Sequence, residues 1–229
     1  MKIAVIPARG GSKRIPRKNI KSFCGKPIIA WTIETAIASC LFDNIIVSTD
    51  DQEIAAVAKE YGAEIPFMRP SSLSDDFTTT SPVVAHAIQW YREIDQYPDE
   101  VCCIYPTAPF VTSADLQRGL EILNNTCSDY VVSVTRYPFP IQRAIKLIDG
   151  LRVEMYQPEF FNTRSQDLEE AFHDAGQFYW GRAEAWIEGK SFFSGNTAPV
   201  ILPRQRVQDI DTLEDFFLAE SMFMSLQKL

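Results

Sequence analysis

The chain opens with Lys2 and then four apolar residues in a row, Ile3-Ala4-Val5-Ile6, closed by Pro7. A run with no polar position has no side to offer water, so it predicts a parallel strand covered on both faces. Pro7 ends that strand because it has no N–H for the ladder. The next residues are Ala8-Arg9-Gly10-Gly11-Ser12-Lys13-Arg14, with Arg17, Lys18 and Asn19 close behind. Glycines let backbone N–H groups approach a ligand and form an anion-binding concavity. Arginine and lysine supply the counter-charge for a polyphosphate. Nucleotides bind beyond the carboxyl ends of parallel strands. The loop therefore reads as a triphosphate cradle made of Ala8, Arg9, Gly10, Gly11, Ser12, Lys13 and Lys18. It lacks the Walker pattern, because Gly25-Lys26 is followed by Pro27 without the upstream glycine, and the dinucleotide fingerprint, which needs a third glycine. On its chemistry alone, a basic surface loop or a short nucleic-acid patch stays open.

The distribution of charge narrows that choice. The net charge of −8 argues against general binding to nucleic acid or anionic membranes. Yet no Asp or Glu precedes Glu34, whereas eight of the 22 basic residues do. An acidic chain that gathers its cations at one end aims them at a small anion. The five cysteines include the neighbours Cys102-Cys103, expected as core thiols on opposite faces of a strand. No Cys-x-x-Cys pair suggests zinc or a disulfide framework. The apolar start is too short for a signal peptide and no stretch would span a bilayer, so a cytoplasmic chain is expected.

At 229 residues the chain is long enough for one α/β domain spanning 1–229. Apolar spacing predicts a helix over 26–40, a buried strand over 44–48, and a helix capped by Asp50 with Glu53 three residues on. A third strand is expected over 63–67. A hydroxyl-rich polar loop over 69–80 comes next, too long for a plain connector, then a helix over 82–94, a central strand over 101–105 and a helix capped by Ser113. A strand over 130–135 precedes a change of texture. Strand and helix alternating at this cadence predict a doubly wound, mostly parallel α/β sheet. The segment 137–178 differs, with Pro138, Pro140 and Pro158 and an Asp149-Gly150 hairpin signal, and is expected to be an antiparallel excursion. Its apolar side chains, among them Phe139, Ile141, Tyr156, Phe160 and Phe161, need a cover. The chain then returns to the sheet at 178–180 and 200–202 and closes with a helix over 212–227.

Two further groups suggest chemistry. Asp209-Ile210-Asp211 places two carboxylates on one side of an extended chain, where they can hold a hard cation; Asp211 with Glu214 as a helix cap is the alternative. Arg143, Arg164, Gln166 and Asp167 read as a polar cluster whose arginines match a carboxylate, or as a surface ion pair of small worth. Tyr105 falls at the carboxyl end of a central strand, where ligands sit. His86 falls within a helix and is expected to be structural, and no serine or cysteine has the setting of a covalent nucleophile.

The segments Ala8-Arg9-Gly10-Gly11-Ser12-Lys13, Ser48-Thr49-Asp50, Tyr105-Pro106-Thr107-Ala108-Pro109, Arg164-Ser165-Gln166-Asp167 and Gln208-Asp209-Ile210-Asp211, in this order, resemble those of the nonulosonate (sialic-acid-type) cytidylyltransferases. Within them the chain is most similar to the enzymes for pseudaminic acid. The resemblance covers nearly the whole chain. It implies the nucleotide-diphospho-sugar transferase fold, CTP and a nonulosonic acid as substrates, Mg²⁺ on Asp209 and Asp211, and a homodimer formed by the excursion, with Gln142 or Arg143 reaching the neighbouring site. It also implies that Arg9, Lys18, Asp209 and Asp211 serve catalysis, that Asn19 reads the base edge, and that Arg69 and Thr80 touch the nucleotide. Sugar contacts are expected from Tyr105, Arg143, Arg164, Gln166, Asp167, Gln177 and Tyr179. Relatives using sialic acid carry glutamine in place of Tyr105 and Asn-Gly-Ala where this chain has Ala175-Gly176-Gln177. Gln177 is expected to present its amide on the face that Ala175 leaves bare. Another keto-sugar acid as acceptor, a sugar-1-phosphate nucleotidyltransferase or glycosyltransferase, and a non-catalytic nucleotide-binding module are the alternatives.

Overall fold

The computed structural model describes residues 1–227. Strand β1 (Lys2–Pro7) is followed by the glycine loop, a small ribbon of β2 (Ser22–Phe23) and β3 (Lys26–Pro27), and helix α1 (Ile28–Ser39). Then come β4 (Asn44–Ser48), α2 (Gln52–Glu60), α3 (Thr80–Glu93), β5 (Glu100–Ile104), α4 (Ser113–Asn125) and β6 (Tyr130–Arg136). The excursion carries β7 (Ile145–Ile148) and β8 (Arg152–Met155), and the chain ends with β9 (Phe172–Arg182), α5 (Ala183–Ile187), β10 (Thr197–Ile201) and α6 (Leu213–Leu226).

Six strands form one sheet in the order β10-β6-β9-β5-β1-β4. β1 pairs in parallel with both β4 and β5, and β10 with β6, while β9 runs antiparallel between β5 and β6. The expected doubly wound, mostly parallel sheet is therefore present, with β9 as the one reversed strand. Along β1, Ala4 and Ile6 pack under α1, α2 and α4, whereas Ile3 and Val5 pack under α3 and α5. Cys102 and Cys103 divide between the same two layers, as adjacent strand residues must. α6 closes the glycine-loop side, where Phe216 and Phe223 pack on Phe23 and Ile28.

Several local expectations change. Lys26 and Pro27 pair back onto Ser22 and Phe23, so α1 starts at Ile28. The expected strand over 63–67 contributes a single bridge, Glu64 to Ile46, because Pro66 has no N–H to continue it. Asp51, not Asp50, caps α2, its carboxylate accepting from the Glu53 and Ile54 N–H groups at 3.0 Å each. Thr112, not Ser113, caps α4 in a reciprocal box with Asp115. The hairpin turn of the excursion falls at Asp149 and Gly150, both at positive φ, as the Asp-Gly signal predicts.

Asp51 also ties the glycine loop to the sheet. Arg17, held at a left-handed φ of 56°, forks onto the Asp51 carboxylate at 2.5 and 3.0 Å and reaches Glu53 as well. Gly10 passes so close to Asp51 that a Cβ there would lie 2.7 Å from a carboxylate oxygen, which explains the glycine. The Arg17 hydrogen bond, opposed by desolvation and helped by the backbone cap, pulls the Asp51 carboxyl down to about 2. A carboxyl depressed in the folded state stabilises fully above its unfolded pKa of about 3.9 and loses that contribution as pH falls toward 2. Arg17→Ala is expected to lower stability by about 1–2 kcal/mol at neutral pH, after allowing for solvent screening. In urea unfolding at a series of pH values, the gap between the two proteins should hold from pH 7 to 5 and close between about 4 and 2.

Candidate functional site

β1 has β4 on one side and β5 on the other, so the chain leaves it in one direction and returns in the other. A crevice opens at such a switch point, beyond the carboxyl ends of the strands. Here it is a cavity of about 420 Å³ whose wall includes Arg9, Ser12, Lys13, Arg14, Lys18, Asn19, Arg69, Asp76, Thr80 and Tyr105. A second cavity, of about 480 Å³, adjoins it across Tyr105 and is bounded by Asp174, Gly176, Tyr179, Gln208 and Asp209. The Tyr105 hydroxyl lies 3.0 Å from Thr80 Oγ1 on the first side, and its ring meets that of Tyr179 edge-to-face, centroids 5.5 Å apart, on the second. Desolvation first of all pushes the Tyr105 phenol up to about 12, so it stays protonated as a donor.

The loop cations are already paired. Arg9 and Lys13 both hold Asp76, from the polar loop before α3, with Arg9 at 2.7 Å. Arg14 donates to Asp211 at 2.7 Å. Lys18 donates to the Ile210 carbonyl at 2.6 Å and lies 3.7 Å from Asp211; desolvation lowers its pKa below the ordinary lysine value. Gly10 N–H donates to Asp50 at 2.9 Å, and Asn19 donates one amide hydrogen to the Arg9 carbonyl at 2.9 Å. Ala8 is buried beneath the loop, so of the expected cradle the side chains of Arg9, Ser12, Lys13 and Lys18 form the wall.

Arg69 is the exception. It is only 7% exposed, and its Nε and one terminal nitrogen have no partner among the described residues. Burial lowers its pKa from the usual arginine value, the Asp50 charge opposing that shift only in part. A buried cation without a partner is costly, and this one sits on the wall of the first cavity. The arrangement asks for an anion or a carbonyl acceptor there.

Asp209 and Asp211 sit on the other rim. The capping alternative fails, because Thr212 caps α6 in a box with Asp215. Desolvation in the crevice and the neighbouring Asp211 charge push Asp209 above the ordinary carboxylate range. Two neighbouring carboxylates beside a cationic cavity are the kind of donor set that suits a hard divalent cation completed by phosphate oxygens and water. No cluster of three or more metal-ligating side chains occurs among the described residues.

The remaining expected sugar contacts divide. Tyr105 and Tyr179 line the second cavity; Gln177 is not among its lining residues. The β6–β9 register slips between Val132 and Val134, with Gly176 at φ 60°, and Gln177 Nε2 instead donates to the Arg206 carbonyl at 2.5 Å. Arg164 forks onto Asp167 at 2.6 and 3.2 Å as an exposed pair, and Arg143 donates to the Thr163 carbonyl. These residues and Gln166 lie on the excursion, outside the lining of both cavities. Sequence reasoning missed Asp76 and Asp174: one is an unremarkable acid in a polar loop, and the other becomes visible only through the bulge.

A doubly wound sheet with a cationic cavity at its switch point defines a nucleotide-binding α/β protein. The cytidylyltransferase family model matches residues 3–186. Pseudaminic acid cytidylyltransferase of Campylobacter jejuni is 43% identical over 96% of this chain and 95% of its own length. CMP-N,N'-diacetyllegionaminic acid synthase of Legionella pneumophila is 36% identical, with the same shares covered. CMP:2-keto-3-deoxy-manno-octonic acid synthetase, solved with CTP, has the same fold at a TM-score of 0.70 and 16% identity, covering 100% of this chain and 99% of that one. The chain belongs to the cytidylyltransferase family. Arg69→Met removes a buried unpaired charge, so its unfolding temperature should equal or exceed that of the parent, while thermal protection by added nucleoside triphosphate disappears. Loss of stability together with retained protection would assign Arg69 to the scaffold instead.

Proposed function

We propose that the chain transfers CMP from CTP to a nonulosonic acid, with pseudaminic acid the preferred acceptor and pyrophosphate the leaving group. The observation that carries this reading is the pair of cavities meeting at Tyr105, one cationic and one lined by hydroxyl, amide and carboxylate groups. A site for joining two substrates needs both. The identity with pseudaminic acid cytidylyltransferase supports the choice of acceptor.

The anomeric hydroxyl oxygen of the sugar bonds to the α-phosphorus of CTP. The bond from that phosphorus to the bridging oxygen breaks, pyrophosphate takes the electron pair, and the hydroxyl proton passes to solvent. Such a displacement asks for positioning and charge neutralisation rather than a covalent intermediate. Arg9, Lys13 and Lys18 hold the phosphates once the triphosphate has displaced Asp76, and the Gly10-Gly11-Ser12 backbone fixes their approach. Arg69 receives an acceptor group of the nucleotide, and Asn19 and Thr80 face the nucleoside. Asp209 and Asp211 would hold Mg²⁺, which when bound supplies neutralising charge at the phosphates.

The second cavity has no lysine or arginine among its lining residues. A cation for the substrate carboxylate then comes from the excursion of a second copy, which carries the exposed Arg143 and Arg164. Gln142 is buried and donates to the Glu169 carbonyl, so Arg143 is the better-placed of the two expected to reach across. The excursion also exposes Phe139, Leu147, Tyr156 and Phe161, apolar surface that a homodimer covers. No helix of the described residues is long and apolar enough to cross a membrane, in keeping with a cytoplasmic site of action.

Incubation with CTP, Mg²⁺ and a panel of nonulosonic acids tests the reaction: pyrophosphate release is expected with pseudaminic acid, preferred at least tenfold in kcat/KM over N-acetylneuraminic acid, about 1.4 kcal/mol. Equal values would overturn the acceptor and leave the reaction. Asp211→Asn leaves the Thr212 cap intact, so it should keep the unfolding temperature and lose Mg²⁺-dependent turnover; full activity would remove the metal role. Sedimentation at micromolar concentration should give a dimer, and a fully active monomer would exclude shared sites.

A further inference from the structure

We propose that Asp174 is the specificity-determining residue of the second cavity, accepting the N–H of an acylamino group on the sugar acid. This rests on the reaction proposed above and adds which group of the acceptor is read, and by what.

The acidic groups that line the cavity are Asp174 and Asp209, so a ligand cannot turn its own carboxylate inward without meeting like charge. Asp209 is assigned, with Asp211, to the metal in the reaction proposed above. Asp174 faces the cavity because β9 is bulged: the Val132–Tyr179 pair and the Val134–Asp174 pair bracket two steps on β6 and five on β9. Gly176, at φ 60°, makes the turn, and its N–H closes it by donating to Asp174 Oδ1 at 2.8 Å. The Tyr179 hydroxyl donates to Asp174 Oδ2 at 2.5 Å. Two bonds, one to each oxygen, thus hold the carboxylate.

An ionised carboxylate offers about four acceptor positions, and these two bonds use two of them. The rest are open, since Asp174 is exposed at the cavity surface. The neighbouring donors are spent. Tyr179 is a buried phenol, raised far above its ordinary range by desolvation and then by Tyr105 and Asp174, so its proton stays on oxygen and points at Asp174. The Gly176 N–H is taken by the same carboxylate, and the Gln177 amide is turned to Arg206. The Gln208 amide is turned to the Asp209 carbonyl and to Asp215. His173 Nδ1 meets the Asp174 carbonyl at 2.8 Å and the Tyr105 hydroxyl meets Thr80, so what stays free beside Asp174 is mainly acceptor. A sugar hydroxyl placed there would donate its hydrogen and leave its own oxygen lone pairs without a free donor among these groups. An amide N–H has no lone pair to satisfy, so it fits where a hydroxyl is penalised.

The test compares two acceptors at saturating CTP: pseudaminic acid, and a nonulosonic acid carrying hydroxyl in place of acylamino groups. Asp174→Asn keeps an oxygen for Gly176 and places an amide donor where the free acceptor was. We expect the wild-type chain to favour the acylamino acceptor in kcat/KM, and Asp174→Asn to lose that preference at least tenfold, with the KM for CTP and the unfolding temperature unchanged. Tyr179→Phe, which removes one of the two bonds aiming the carboxylate, should reduce the preference by less. A preference unmoved in both variants overturns the assignment. A wild-type chain that releases no pyrophosphate with either acceptor overturns the reaction and, with it, this reading.

Discussion

The contact on which the rest of the site depends is the one between Arg17 and Asp51. β1 supplies the glycine loop with a fixed exit from the sheet, but the loop itself has little apolar surface to hold it. Its far end is fastened by the guanidinium fork on Asp51, whose other duty is to cap α2. One carboxylate thus fixes both the helix that comes after β4 and the loop that comes after β1. Gly10 is the cost of that closeness, since any side chain there would strike Asp51. Asp50, released from capping, turns to the Gly10 N–H and supplies the negative charge that partly offsets the burial of Arg69. The wall of the first cavity is therefore the outer face of a small ionic lattice at the switch point of the sheet.

Much of this architecture is legible in the sequence. The buried run of β1, the alternation of strand and helix, the Asp-Gly turn and the basic loop are local signals, and local signals survive folding. The misplaced elements are local rivals of nearly equal merit. Asp50 and Asp51 are both good caps, as are Thr112 and Ser113, and the choice is made by which partner the tertiary structure brings near: Gly10 for Asp50, and the α2 N–H groups for Asp51. The segment over 63–67 has strand composition, but at the sheet edge Pro66 interrupts it. The reversal of β9 has no signature in its own residues. It is set by where the chain re-enters the sheet after the excursion, between β5 and β6 and antiparallel to both.

The site is legible where its residues are consecutive and obscure where they are not. Arg9, Ser12, Lys13, Lys18, Asn19 and Arg69 do share one cavity. Gln177 marks the limit, since its expected orientation assumes a period of two, and one slip of register reverses such an orientation completely. The bulge that takes Gln177 out is the same feature that turns Asp174 in. The polar cluster at 164–167 is recognisable as chemistry, yet within one chain it is a surface ion pair outside the lining of either cavity.

The charge balance of the loop changes what its cations can do. Counted in the sequence, the eight bases before Glu34 look like free counter-charge. In the folded chain Arg9 and Lys13 share Asp76, Arg14 and Lys18 share Asp211, Arg17 has Asp51 and Glu53, and Lys26 has Glu34. A triphosphate arriving here exchanges one set of anions for another, so its affinity reflects the difference between phosphate and carboxylate rather than the sum of the cations. On the function proposed above, that exchange would release Asp76 and leave the Asp51 and Glu34 pairs, which do not line the cavity, in place. Arg69 is outside the exchange, for it has no internal anion to give up. Whatever accepts from its free nitrogens gains a buried hydrogen bond to a charged group without first breaking one, which makes Arg69 the group through which ligand binding most directly stabilises the fold.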